Sequence, residues 1–89
     1  MNLKIDPNAI YLFKDDQFNI FSIEGDKVLR VDGAIAEYLN SLNFDGVLNL
    51  EQTKKEFLES YSEYKKSDVS DVFDDLFESL VNNSLAIVL

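Results

Sequence analysis

Apolar and polar residues alternate with a period of two through the first third of this chain and recur near every 3.6 residues after it. That change of period predicts strands followed by helices. After a short leader, Asn2–Ile5, the cluster Asp6, Pro7 and Asn8 forms a turn into the run Ala9–Lys14, where Tyr11 and Phe13 alternate with Ile10 and Leu12. Asp15, Asp16 and Gln17 read as a tight connection to a second strand over residues 18–23. There Phe18, Ile20 and Ser22 face one way and Asn19, Phe21 and Ile23 the other. Glu24, Gly25 and Asp26 supply a second turn, with glycine available for positive φ, and a third strand follows over residues 27–31. The three strands predict an antiparallel meander, which persists when something packs on one face.

Asp32 is placed to cap a helix, because a short carboxylate accepts hydrogen bonds from the first free N–H groups. Ile35, Tyr38, Leu39 and Leu42 then recur at i, i+3, i+4 and i+7, with residues 43–46 as the exit. Asn49 caps a second predicted helix whose apolar face is Leu50, Phe57, Leu58 and Tyr61. After the polar connection 62–67, Asp68 caps a third, with Val69, Val72, Phe73, Leu76 and Leu80 as its core stripe. Phe77 and Val81 fall to one side of that stripe, which makes it wider than a core alone needs. Asn82 or Asn83 supplies a left-handed exit, and residues 84–89 are apolar enough for a terminal strand. The expected fold class is α+β, a three-stranded antiparallel sheet followed by three helices, winged-helix-like, in a single domain over residues 1–89.

Composition narrows the chemistry. A hydrophobic fraction of 46% with 7 Phe and 4 Tyr supplies a core, so this acidic chain is expected to fold. With no Cys and no His, thiol and imidazole catalysis and the commonest transition-metal ligands are excluded. No Gly-rich phosphate loop and no EF-hand spacing occurs, and the pairs Asp71/Asp75 and Asp74/Glu78 lie opposite the apolar stripe rather than in a cleft. The expectation is a non-enzyme without cofactor or metal. A formal net charge of −9 opposes nucleic-acid binding. With no signal-like start and no run near the roughly 18 apolar residues that span a bilayer, the expected setting is the cytoplasm, away from membranes. From residue 67 onward the charged side chains are Asp68, Asp71, Asp74, Asp75 and Glu78. Two readings stay open there: a solvated face whose acids suit the helix dipole, or a contact surface for a basic partner.

An exposed meander edge is either protected or used to recruit a peptide as an added strand. Lys27 and Arg30 would be the gatekeepers of the third strand. If the last helix lies alongside, Phe77 and Val81 would line a groove with apolar pockets for alternate side chains of a guest.

Several motifs then resemble those of a known family. Val31-Asp32, Ile35-Ala36, Tyr38-Leu39, Leu42 and Asp45-Gly46, followed by Val72-Phe73, Leu76-Phe77, Leu80 and Ser84-Leu85, resemble the pattern of the PqqD-like domains, also called RiPP recognition elements. The likeness runs from about Ile10 to Ile87; Ser84 stands where the family has glycine, and the Thr-Val that opens its second helix is missing after Gly46. The resemblance implies a sheet of three strands packed on three helices that binds the leader of a ribosomally made precursor peptide against the third strand and last helix. It also implies delivery to a modifying enzyme such as a radical SAM enzyme, a cyclodehydratase or a leader protease. By position, Lys27, Val28, Leu29, Arg30 and Val31 with Phe73, Phe77 and Val81 would form the groove, and Asp74 an acidic rim. The competing reading is an acidic winged-helix-derived regulator that contacts proteins or mimics DNA. An acyl-carrier-like protein is disfavoured by the β-rich first third and the lack of an Asp-Ser-Leu attachment motif.

Overall fold

Asp15 and Asp16 both adopt positive φ, 54° and 63°, the backbone of a two-residue hairpin turn whose twist matches that of its strands. Aspartate tolerates this region better than most L-residues. In the computed structural model, which describes residues 1–23, 27–42 and 46–89, the turn joins β2 (Ala9–Lys14) to β3 (Gln17–Ser22), and β3 pairs in turn with β4 (Val28–Asp32). The meander is therefore present, in the order β2-β3-β4. The expected turn at Glu24, Gly25 and Asp26, and most of the expected helix exit at 43–46, lie outside the described residues.

The leader is itself a strand. β1 (Asn2–Ile5) lies between β5 (Leu48–Asn49) and β6 (Ala86–Val88), antiparallel to both, with Leu3 opposite Leu48 and Ile5 opposite Ala86. Three helices complete the chain: α1 (Gly33–Ser41), α2 (Leu50–Ser60) and α3 (Lys66–Asn82). Among the described residues the protein is thus α+β with two small antiparallel three-stranded sheets and three helices, where a single sheet ahead of the helices was expected.

Phe18 and Ile20 of β3 are buried, and α1 packs over β3 and β4 through Ala36, Tyr38 and Leu39. Phe57 of α2 and Phe73 of α3 meet edge to face at 5.3 Å, and Tyr38 meets Phe57 at 5.5 Å. Leu3, Phe77 and Leu85 close the same core from the second sheet and α3. The Tyr38 hydroxyl donates to Glu56 Oε2 at 3.2 Å, and burial foremost pushes that phenol above its ordinary value.

The helix ends depart in part from expectation. Asn49 caps α2 as predicted, its Oδ1 accepting from Gln52 N at 2.9 Å. Asp32 occupies the N-cap position of α1 without a side-chain cap bond. α3 starts earlier than predicted, with Lys65 at its N-cap and Asp68 inside the first turn, where a carboxylate still favours the dipole. The left-handed residue after α3 is Ser84, at φ 59°, rather than Asn82 or Asn83.

Candidate functional site

β4 is an edge strand. Ser22 N donates to Lys27 O at 3.0 Å, which sets the phase of the antiparallel ladder. Alternation then turns the main-chain groups of Leu29 and Val31 toward β3 and those of Val28 and Arg30 outward. The side chains alternate too: Val28 and Arg30 are exposed, whereas Leu29 and Val31 are half-buried against the core. Lys27 is exposed just before the strand. Arg30 Nε donates to Asn19 Oδ1 at 2.8 Å across the outer face of the sheet, so its guanidinium leans over β3.

Residues of α3 and its exit share cavities with β4 in reverse order, Asp68 and Val72 near the strand's end and Asn83 near its start. At the C-terminal end of the strand, Asp32, Gly33, Ala34 and Ile35 face Asp68, Val69 and Val72 across a cleft of about 250 Å³. Midway, Leu29 and Val31 line, with Leu76, Phe77, Leu80 and core residues such as Ile5, Phe18 and Leu39, an internal void of about 10 Å³, no more than one water would need. At the start of β4, Lys27 shares a hollow of about 320 Å³ with Asn83, Ser84 and Leu85. The strand therefore has hollows at its two ends and the closed apolar core beneath its middle.

The helical groove residues are not those expected from the sequence. Phe73 is fully buried and Phe77 is 2% exposed, so neither presents a wall to an incoming chain. Phe77 instead lines the internal void. Asp74 is no rim to this groove: its Oδ1 accepts from Lys54 Nζ of α2 at 2.7 Å, on a flank about 160° around the helix from Val72 at 100° per residue. Val81 is half-buried, one helical step pair from Phe77 on that same α2-facing side. The α3 side chain that does face the β4 end is Val72, 42% exposed, which the sequence pattern had assigned to the core. Tyr64, from the connection between α2 and α3, lines the same cleft and is 46% exposed. Neither was a predicted site residue; the signal for Val72 lay in its position at the margin of the stripe.

Charge divides along these flanks. The Asp74 hydrogen bond raises the Lys54 ammonium above its ordinary value, aided by the charges of Asp74, Glu51 and Asp71. Ser70 Oγ also accepts from Lys54 at 2.9 Å. No group of three metal-ligating residues comes together among the described residues, and none of their helices is long and apolar enough to cross a membrane.

Comparison with protein-family models, curated proteins and solved structures returns no significant match for this chain. Its functional reading therefore stands on its own residues and their geometry.

Proposed function

We propose that this chain is a non-catalytic binding module of PqqD-like type, which takes the leader of a ribosomally made precursor peptide as an added strand on β4 and presents it to a modifying enzyme in the cytoplasm. One observation supports the reading: among the described residues β4 ends its sheet with no further strand paired to its outer edge, and the cavities at its two ends are lined in part by α3 and its exit. Main-chain pairing to Val28 and Arg30 supplies affinity with little dependence on sequence, and the hollows at the two ends supply selectivity. The helical contribution comes from Val72, replacing Phe73, Phe77, Val81 and Asp74. The protein's own tail does not compete, because β6 pairs with β1.

Arg30→Pro tests the reading. The Arg30 N–H points away from β3, so proline there removes no bond of the β3–β4 ladder but deletes the donor offered to a guest. Peptides selected from a random dodecapeptide library on the wild-type protein should lose about tenfold or more in affinity for Arg30→Pro, with Arg30→Ala much less affected. Selected peptides that bind wild type and Arg30→Pro equally, with both proteins folded, would remove strand addition as the mode of binding.

A further inference from the structure

The cleft at the C-terminal end of β4 has dimensions and charge that define what it accepts. At about 250 Å³ it is smaller than the roughly 300–1,000 Å³ of small-molecule sites, and suits a single side chain. Its floor is Phe57 and Val69, both buried, and its walls are Val72 and Tyr64, both substantially exposed. Gly33, at φ +71°, leaves the backbone wall bare, with nothing within 4 Å of where a Cβ would stand. Asp32 and Asp68 complete the lining. Among the described residues neither carboxylate has a hydrogen-bonding or ionic partner, and Asp32 forgoes the cap bond its position offers.

Both charged side chains in the cleft lining are carboxylates. The helix ends of α1 and α3 bring roughly half a positive charge each, which two full carboxylates exceed. Lys65, just before α3, is exposed and forms no ion pair with Asp68. An apolar cleft bordered by two carboxylates complements a long aliphatic side chain with a cationic tip, and Tyr64 adds an aromatic ring on which a cation can rest.

We infer that the cleft receives a lysine or arginine of the guest strand, its stem against Val72 and Tyr64 and its charged end at Asp32 and Asp68. The inference rests on strand addition at β4, since a guest paired with Val28 and Arg30 and continuing past Asp32 arrives at this cleft.

The test uses short alternating Thr/Val peptides with one variable residue, lysine, norleucine or glutamate, scanned along them. Binding is followed by calorimetry and by amide NMR shifts. At the best position lysine should bind about five- to tenfold tighter than norleucine, with glutamate weakest, and shifts should centre on Ala34, Ile35 and Val72. The double variant Asp32→Asn, Asp68→Asn should abolish the preference for lysine while leaving norleucine affinity unchanged. Equal binding of lysine and norleucine peptides overturns the cationic site and leaves strand addition intact. A lysine preference whose affinity is undiminished in Arg30→Pro overturns strand addition and leaves the cleft. Failure of every peptide to bind overturns both.

Discussion

Ser84 carries the largest local departure from ordinary backbone preference outside the hairpin turn. Leu85 N donates to Leu80 O at 2.8 Å and Ser84 N to Val81 O at 3.0 Å, the paired bonds of a Schellman exit with Ser84 as its left-handed residue. Leu85, fully buried, packs against the end of the helix it has just left. An L-residue in this region costs about 1–2 kcal/mol, of which the greater chain entropy of glycine returns part. Ser84→Gly should therefore stabilise the protein by about 0.5–1 kcal/mol, read as a higher urea midpoint with unchanged slope. A lower midpoint would show that the serine hydroxyl contributes more than the backbone loses. That a helix ends near residue 82 was legible from the Asn-Asn-Ser run, but the choice among three adjacent polar residues depends on where Leu85 must reach the core, which no local pattern encodes. Asp32 illustrates the same limit: its type and position marked a helix start, yet its carboxylate is left free at the cleft.

Among the elements, α3 decides the site. Its apolar residues were readable as a broad stripe, and Phe73 sits at the stripe's centre as expected, with none of its surface exposed. The error lay in which margin faces solvent. Phe77 and Val72 flank the stripe on opposite sides, and periodicity assigns both equal claim to the core; the tie is broken by neighbours distant in sequence. Phe77 shares an internal apolar void with Ile5, Leu39 and Leu48, whereas Val72 borders an open cleft with the start of α1 and Tyr64. Phe77→Ala should accordingly cost about 3–5 kcal/mol of stability, the range for a large buried aromatic, whereas Val72→Ala should stay within about 1 kcal/mol. Chemical denaturation of the two variants side by side checks the assignment. A Phe77→Ala protein as stable as wild type would return Phe77 to the surface. The β4 strand, by contrast, was legible almost to the residue, because Val28 to Asp32 alternates cleanly and is followed at once by a helix start.

Across the whole molecule, long-range pairing and charge set what local pattern could not. The terminal strand was expected, but its partner was not: β6 meets β1, the first element of the chain, and among the described residues no strand pairs with the outer edge of β4. The chain carries a net −9, and the ion pairs among its described residues converge on Lys54, which bonds Asp74 across the α2–α3 junction and lies 3.8 Å from Glu51. Lys54 holds its proton more tightly folded than unfolded. Its stabilisation is therefore complete below the unfolded lysine value, about 10.4, and is lost as pH rises through the higher folded value. Asp74→Asn should lower stability at pH 7 by about 0.5–1 kcal/mol, within the range of partly exposed pairs. The gap from wild type should then narrow and close as pH climbs above the unfolded lysine value. Tyr38 and Tyr61, whose phenols are also raised, lose stability over the same alkaline range in both proteins, so their effect cancels in the difference. Added salt separates this bridge from the general repulsion of an acidic surface. Screening weakens one exposed-side pair slightly but relieves many like-charge contacts at once, so wild type should unfold at a higher temperature in about 0.5 M NaCl than in dilute buffer. A lower midpoint in salt would mean that the Lys54 bridge outweighs the repulsion among 17 acidic side chains.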